Sequence, residues 1–213
     1  MIVSNDALRR SCAAAIALTA VVGLIVQFVS VLEQNGSFAA NLWVLARYFT
    51  ILANVLVAVV FGGIARDASG WGSPRLLAGA VFAIILVGVI YMLLLRGLLD
   101  LSGGAWLADV VLHMVTPVLA PLYWLAFARK GALAYRDPLL WGLFPAAYVS
   151  YALARGAIDG NYAYPFIDAG RIGWAQTGIN CLLIGTGFIA AGCAFVWLDH
   201  ALAGAGRPPR AGS

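Results

Sequence analysis

Six apolar runs leave this chain few ways to fold. They lie near Leu8–Leu32, Asn41–Ile64, Pro74–Leu99, Ala105–Ala128, Pro138–Arg155 and Arg171–Leu198. A hydrocarbon core of about 30 Å is crossed by ~20 helical residues, so each run is long enough to span one. The breaks between them carry turn chemistry: Glu33-Gln34-Asn35-Gly36, Asp67-Ala68-Ser69-Gly70, Ser102-Gly103-Gly104 and Asp159-Gly160-Asn161. Charged residues make up 10% of the chain and hydrophobic ones 63%. A soluble domain carries roughly 25% charged residues. So few charges cannot cover a water-facing globule, and membrane lipids are the expected solvent for the outer surface.

The expected fold is therefore all-α: an integral membrane bundle of six transmembrane helices. It forms a single domain over 1–203, followed by a disordered tail over 204–213. A secretory apolar region is about 7–15 residues long. The run from Ser11 to Leu32 is longer and reads as an uncleaved first span. Lys and Arg set the orientation. Nine fall at the termini and the second–third and fourth–fifth connections, against four elsewhere. Both termini are expected in the cytoplasm. The near absence of lysine beside twelve arginines, with abundant Ala and Gly, fits a bacterial coding bias and an inner (plasma) membrane. The net charge of +4 comes in short clusters between apolar runs, so it indicates topology rather than a nucleic-acid partner. Cys12, Cys181 and Cys193 have neither metal-site nor disulfide spacing and read as small apolar filler.

Polar side chains inside a membrane helix are costly and usually face the bundle interior. Here they gather at one depth. On a straight second span entering near Asn41, Thr50 is about 13 Å in. His113 and Tyr91 come out about 12 Å deep on their own spans. Tyr148 and Tyr151, Gln176 and Asn180, and Gln27 lie in the same outer half of theirs. This pattern predicts a polar cavity in the outer leaflet. Arg47, Thr50 and Asn54 fall on one helical stripe, as do Asp109, His113 and Thr116. Asp109, one turn from His113, is placed to fix the imidazole tautomer. Pro117 lacks the N–H that would bond the His113 carbonyl, so a bend is expected there.

A hydroxyl within reach of an imidazole makes an acyl-transfer nucleophile and base. Thr50 and His113 are the expected catalytic pair, and a cavity in a lipid leaflet implies a lipid ester as substrate. Arg47 either binds a carboxylate headgroup or stabilises an oxyanion. Asn54, Asp109, Tyr91, Tyr148, Tyr151, Gln176 and Asn180 are the expected orienting or substrate-binding groups. No cofactor or metal is expected. His113 and His200 lie toward opposite leaflets, which excludes bis-His haem, and no His/Asp/Glu cluster forms a metal site. The alternative is a non-enzymatic lipid-binding or transport protein using the same cavity. A third is a structural subunit whose polar groups only join helices.

Three segments carry a family resemblance. They are Arg47-Tyr48-Phe49-Thr50-Ile51-Leu52-Ala53-Asn54, Leu112-His113-Met114-Val115-Thr116-Pro117 and Tyr162-Ala163-Tyr164-Pro165-Phe166-Ile167-Asp168. In order and placement they resemble the six-span hydrolases typified by androgen-induced gene product 1 and the androgen-dependent regulator of tissue factor pathway inhibitor, and most of all their bacterial relatives. The resemblance implies an intramembrane threonine hydrolase acting on fatty acid esters of hydroxy fatty acids. Its catalytic threonine and histidine fall on Thr50 and His113. The Tyr162–Asp168 segment at the outer mouth either lids the cavity or orders its loop.

Overall fold

The computed structural model describes residues 5–35 and 37–205. Among them there is no strand. The helices are α1 (Asn5–Asn35), α2 (Phe38–Leu45), α3 (Phe49–Ala65), α4 (Pro74–Ile90), α5 (Gly103–Val110), α6 (Thr116–Phe127), α7 (Asp137–Asp159) and α8 (Ala169–Ala205). α8 runs two residues into the expected tail. The remainder of that tail, and Gly36 of the first expected turn, lie outside the described residues.

Among the described residues, four stretches are long and apolar enough to cross a membrane: Asn5–Glu33, Pro74–Leu95, Gly103–Phe127 and Ala169–Gly204. The bent pair Phe38–Leu45 and Phe49–Ala65 makes a fifth if it counts as one span. α7 is long enough but more polar, with Asp137, Arg155 and Asp159 among its residues. Large apolar side chains also cover the outer faces. Leu18, Leu93, Leu143, Leu182, Leu183 and Trp197 are all more than 60% exposed. Helices apolar on both faces suit hydrocarbon rather than water. Trp43, Trp106 and Trp174 are exposed as well.

α1 packs along α3 and α5, α3 on α4, and α4 on both α6 and α7. α8 packs mainly on α7 and on the 3-10 turn Pro165–Ile167. Phe82, Trp124, Trp141, Phe188 and Phe195 interlock where α4, α6, α7 and α8 meet. Beyond that cluster α8 leaves a gap against α4 and α7.

Two features depart from straight helices, and both carry site residues. The continuous second helix expected over Asn41–Ile64 is two helices, α2 and α3, meeting at 95°. Nothing in Ala46-Arg47-Tyr48 breaks a helix by propensity. Tertiary partners hold the break instead. The Arg47 guanidinium is drawn onto Asp159, and the Tyr148 hydroxyl donates to the Arg47 carbonyl at 2.8 Å. Irregular backbone among apolar helices survives only when its polar groups are satisfied by the protein. The depth reckoned along a straight helix therefore does not apply to Thr50, which lies in the first turn of α3.

The second feature is a pair of π-helical turns, Tyr91–Leu95 after α4 and Val111–Val115 between α5 and α6. Pro117 offers no N–H to the His113 carbonyl, and the Thr116 hydroxyl donates to Val111 O at 2.9 Å. The proline thus produces a local widening inside one continuous stretch, Gly103–Phe127, rather than a sharp bend. Gly88 lets α4 approach this point. A Cβ there would come within 2.8 Å of the Pro117 Cβ, so only glycine brings Tyr91 up to the widened turn.

Candidate active site

The widened turn presents the His113 ring to two acceptors on one side. Nδ1 is 3.1 Å from the Asp109 carbonyl and 3.0 Å from its carboxylate Oδ1. A nitrogen facing only acceptors carries the proton, which leaves Nε2 with its lone pair. That lone pair meets Thr50 Oγ1 at 3.1 Å, so the hydroxyl donates to it. The second Asp109 oxygen accepts the Tyr91 hydroxyl at 2.5 Å. The Tyr91 ring also stacks on the imidazole, with centroids 4.5 Å apart and planes at 17°. Tyr91, Asp109, His113 and Thr50 thus form one chain of hydrogen bonds.

Asn54 holds the two halves in register. Its amide donates to Thr50 O at 2.9 Å and to Leu112 O at 3.2 Å, joining α3 to the residue before His113. Thr116, on the same helical stripe as His113, spends its hydroxyl on its own helix.

Thr50 is 6% exposed and opens onto a cavity of about 810 Å³ between α4, α7 and α8. Pockets that bury a drug-sized ligand run from about 300 to 1,000 Å³. The wall is apolar, Leu86, Val87, Leu143, Ile184 and Phe188 among it, and among the described residues no charged side chain lines it. Its polar groups include Thr50, Tyr148 and Tyr164. His113 is not in the wall and approaches Thr50 from behind. The polar outer-leaflet cavity expected from common depth is therefore a mainly apolar one with a polar end.

Arg47 differs from expectation. It lies in the α2–α3 break, not on a stripe with Thr50 and Asn54. Its guanidinium grips Asp159 at 2.7 and 3.0 Å and also donates to the Asn161 carbonyl. It is 9% exposed, and no substrate carboxylate reaches it without displacing Asp159. Its role is to fix the break that opens α3 at Thr50. Tyr148 shares that role through the Arg47 carbonyl and adds a wall to the cavity. Tyr151 is outside the site, and its hydroxyl accepts from Arg155 at 2.8 Å. Gln176 donates to Asn180, which donates to Phe166 O at 2.8 Å. These two position the Pro165–Ile167 turn and do not touch the dyad.

Two residues of the site were not among the expected groups. Asp159 supplies the counter-charge that a buried arginine demands, which was the available signal. Tyr164 comes from the α7–α8 connection, and its hydroxyl neighbours those of Thr50 and Tyr148 and the backbone N–H groups of Phe49 and Thr50. Burial pushes that phenol up, so it holds its proton at neutral pH.

The Arg47 guanidinium, helped by the Asn161 N–H, holds the Asp159 carboxyl down at about 2 against an ordinary 3.8. A carboxyl lowered by folding stabilises the folded chain above its unfolded value, and that contribution disappears as pH falls toward the folded value. Acid titration of wild type should show a loss of stability between pH ~4 and ~2. Asp159→Asn should lack that step and be less stable at pH 7. Superimposable acid curves for the two proteins would refute the coupling.

No protein-family model, curated protein or solved structure matches this chain.

Proposed function

We propose that this chain is a six-span membrane hydrolase of lipid esters, with Thr50 as nucleophile and His113 as base. One observation carries the reading: a threonine hydroxyl bonded to an oriented imidazole opens onto a large apolar cavity. In this reading α7 is a further span, the bent pair counts as one, and both termini face the cytoplasm of a bacterial cell. The resemblance to threonine hydrolases of fatty acid esters of hydroxy fatty acids supports the same pair.

The acyl chain lies in the cavity and the ester carbonyl reaches its polar end. Thr50 Oγ1 bonds to the carbonyl carbon while its proton passes to His113 Nε2, and the π pair moves onto the carbonyl oxygen. Asp109 steadies the imidazolium that results. When the tetrahedral species collapses, the bond to the leaving alcohol breaks and His113 returns the proton to that oxygen. Water then attacks the acyl-threonine, with His113 again taking the proton. The second collapse releases the fatty acid and restores the Thr50 hydroxyl.

A fluorophosphonate probe tests the reading on the purified full chain, with mass spectrometry to locate the adduct. An activated Thr50 oxygen displaces fluoride and keeps the phosphonate. Label on Thr50 that is lost in His113→Ala supports the hydrolase. The apolar wall equally suits a lipid that binds without turnover. That second reading predicts no adduct on folded protein and retained binding of a fluorescent fatty acid.

A further inference from the structure

Ester cleavage at Thr50 places negative charge on the former carbonyl oxygen, and preorganised donors aimed there usually supply the largest catalytic contribution. Among the described residues, no cation lines the cavity wall to meet it. Arg47 is committed to Asp159 and Asn161, and His113 stands behind Thr50. Resting on the hydrolase reading, we infer that Tyr164 is a further catalytic residue, whose hydroxyl donates a hydrogen bond to the oxyanion formed at Thr50.

Three observations converge on it. Tyr164 and Thr50 line the same cavity, and the Tyr164 hydroxyl neighbours that of Thr50. The Tyr164 oxygen faces the N–H groups of Phe49 and Thr50, the first two amides of α3. A helix leaves its first amides without intrahelical acceptors, and neither of these has another backbone acceptor among the described residues. Amides on that side of the oxygen can only donate, so the phenol's proton is left for neighbouring hydroxyl oxygens. Those partners are the Thr50 and Tyr148 hydroxyls in the resting site, and the substrate oxygen joins them after attack. Finally, the ring is held. It stacks on Phe166, with centroids 5.2 Å apart and planes at 3°, and meets Tyr48 edge-on at 6.0 Å. Phe166 is in turn fixed through its carbonyl by Asn180. A donor so held needs no reorganisation as charge develops. The hydrogen bond only stabilises; the proton stays on Tyr164, and Thr50's proton goes to His113 as before.

Tyr164→Phe removes the donor and keeps the ring. With a p-nitrophenyl ester of a medium-chain fatty acid, on full-length protein in nanodiscs, kcat should fall about 10²- to 10³-fold. KM should stay within a few fold, and the fluorophosphonate adduct should still form on Thr50, more slowly. Replacing Tyr164 with 3-fluorotyrosine, which preserves packing and strengthens the donor, should change kcat at unchanged KM. Unchanged or raised kcat in Tyr164→Phe overturns the assignment, as does a fall matched by a rise in KM. If Tyr164→Phe does not fold, an unresponsive fluorotyrosine enzyme overturns it equally. Wild type that neither turns over ester nor labels at Thr50 refutes the hydrolase reading itself, and Tyr164 with it. Failure of Tyr164 alone leaves Thr50 labelling intact.

Discussion

Thr50→Ala is expected to lower kcat for ester hydrolysis by roughly 10⁴- to 10⁶-fold while leaving the fold in place, in line with losses of a nucleophile from comparable constellations. Asn54 joins α3 to the π-turn that carries His113 by donating to the Thr50 and Leu112 carbonyls, and alanine at position 50 keeps its carbonyl. The lost side-chain contacts are the hydrogen bond to His113, worth about 1 kcal/mol, and the approach of the Tyr164 hydroxyl. Melting midpoint and detergent monodispersity should therefore change little. Thr50→Ser keeps the oxygen and should retain part of the activity. The missing methyl leaves the hydroxyl freer to rotate, so a moderate loss in kcat is expected. Undiminished turnover by Thr50→Ala would exclude Thr50 as nucleophile. Lost turnover with a collapsed melting transition would assign it to structure instead.

How far the site could be read from residues alone differs from one contact to the next. Asp109 and His113 are four apart in one apolar run, and helical spacing brings such a pair together whatever surrounds it. Pro117 announces local disturbance beside His113 because its missing N–H is a covalent fact. The pairing of Thr50 with His113 is less local. It followed from having one intramembrane imidazole and a hydroxyl on a polar stripe, although the depth arithmetic assumed a straight helix. The α2–α3 break was hidden, since Ala46-Arg47-Tyr48 contains neither glycine nor proline. Its cause lies in Asp159 and Tyr148, over a hundred residues away in sequence. The apolar runs also gave no hint that α8 stands off from α4, because a cavity is defined by what packing omits. Gln176 and Asn180 look like site residues on any count of polarity. Yet they serve a loop carbonyl, a partner with no side-chain signature.

Asp109→Asn should lower kcat by about 10³- to 10⁴-fold with only a modest change in KM, the scale seen when a triad aspartate becomes an amide. Two separate effects produce it. The carboxylate gives Nδ1 nothing but acceptors to face, which forces the proton there and leaves Nε2 free for the Thr50 hydroxyl. An asparagine offers an N–H as well as a carbonyl. If its N–H turns toward Nδ1, the ring holds its proton on Nε2 and cannot accept from Thr50. The amide also carries no charge to steady the imidazolium during attack. Tyr91→Phe separates the two contributions. It leaves the carboxylate charge but removes the 2.5 Å hydrogen bond that orients it. Its ring still stacks on His113, so a loss smaller than that of Asp109→Asn is expected. The decisive measurement is the rate of fluorophosphonate labelling at Thr50 across wild type, Tyr91→Phe and Asp109→Asn. A fall in that order places Asp109 behind His113 as its orienting and charge-balancing partner. Equal rates in all three would mean that the imidazole works without it.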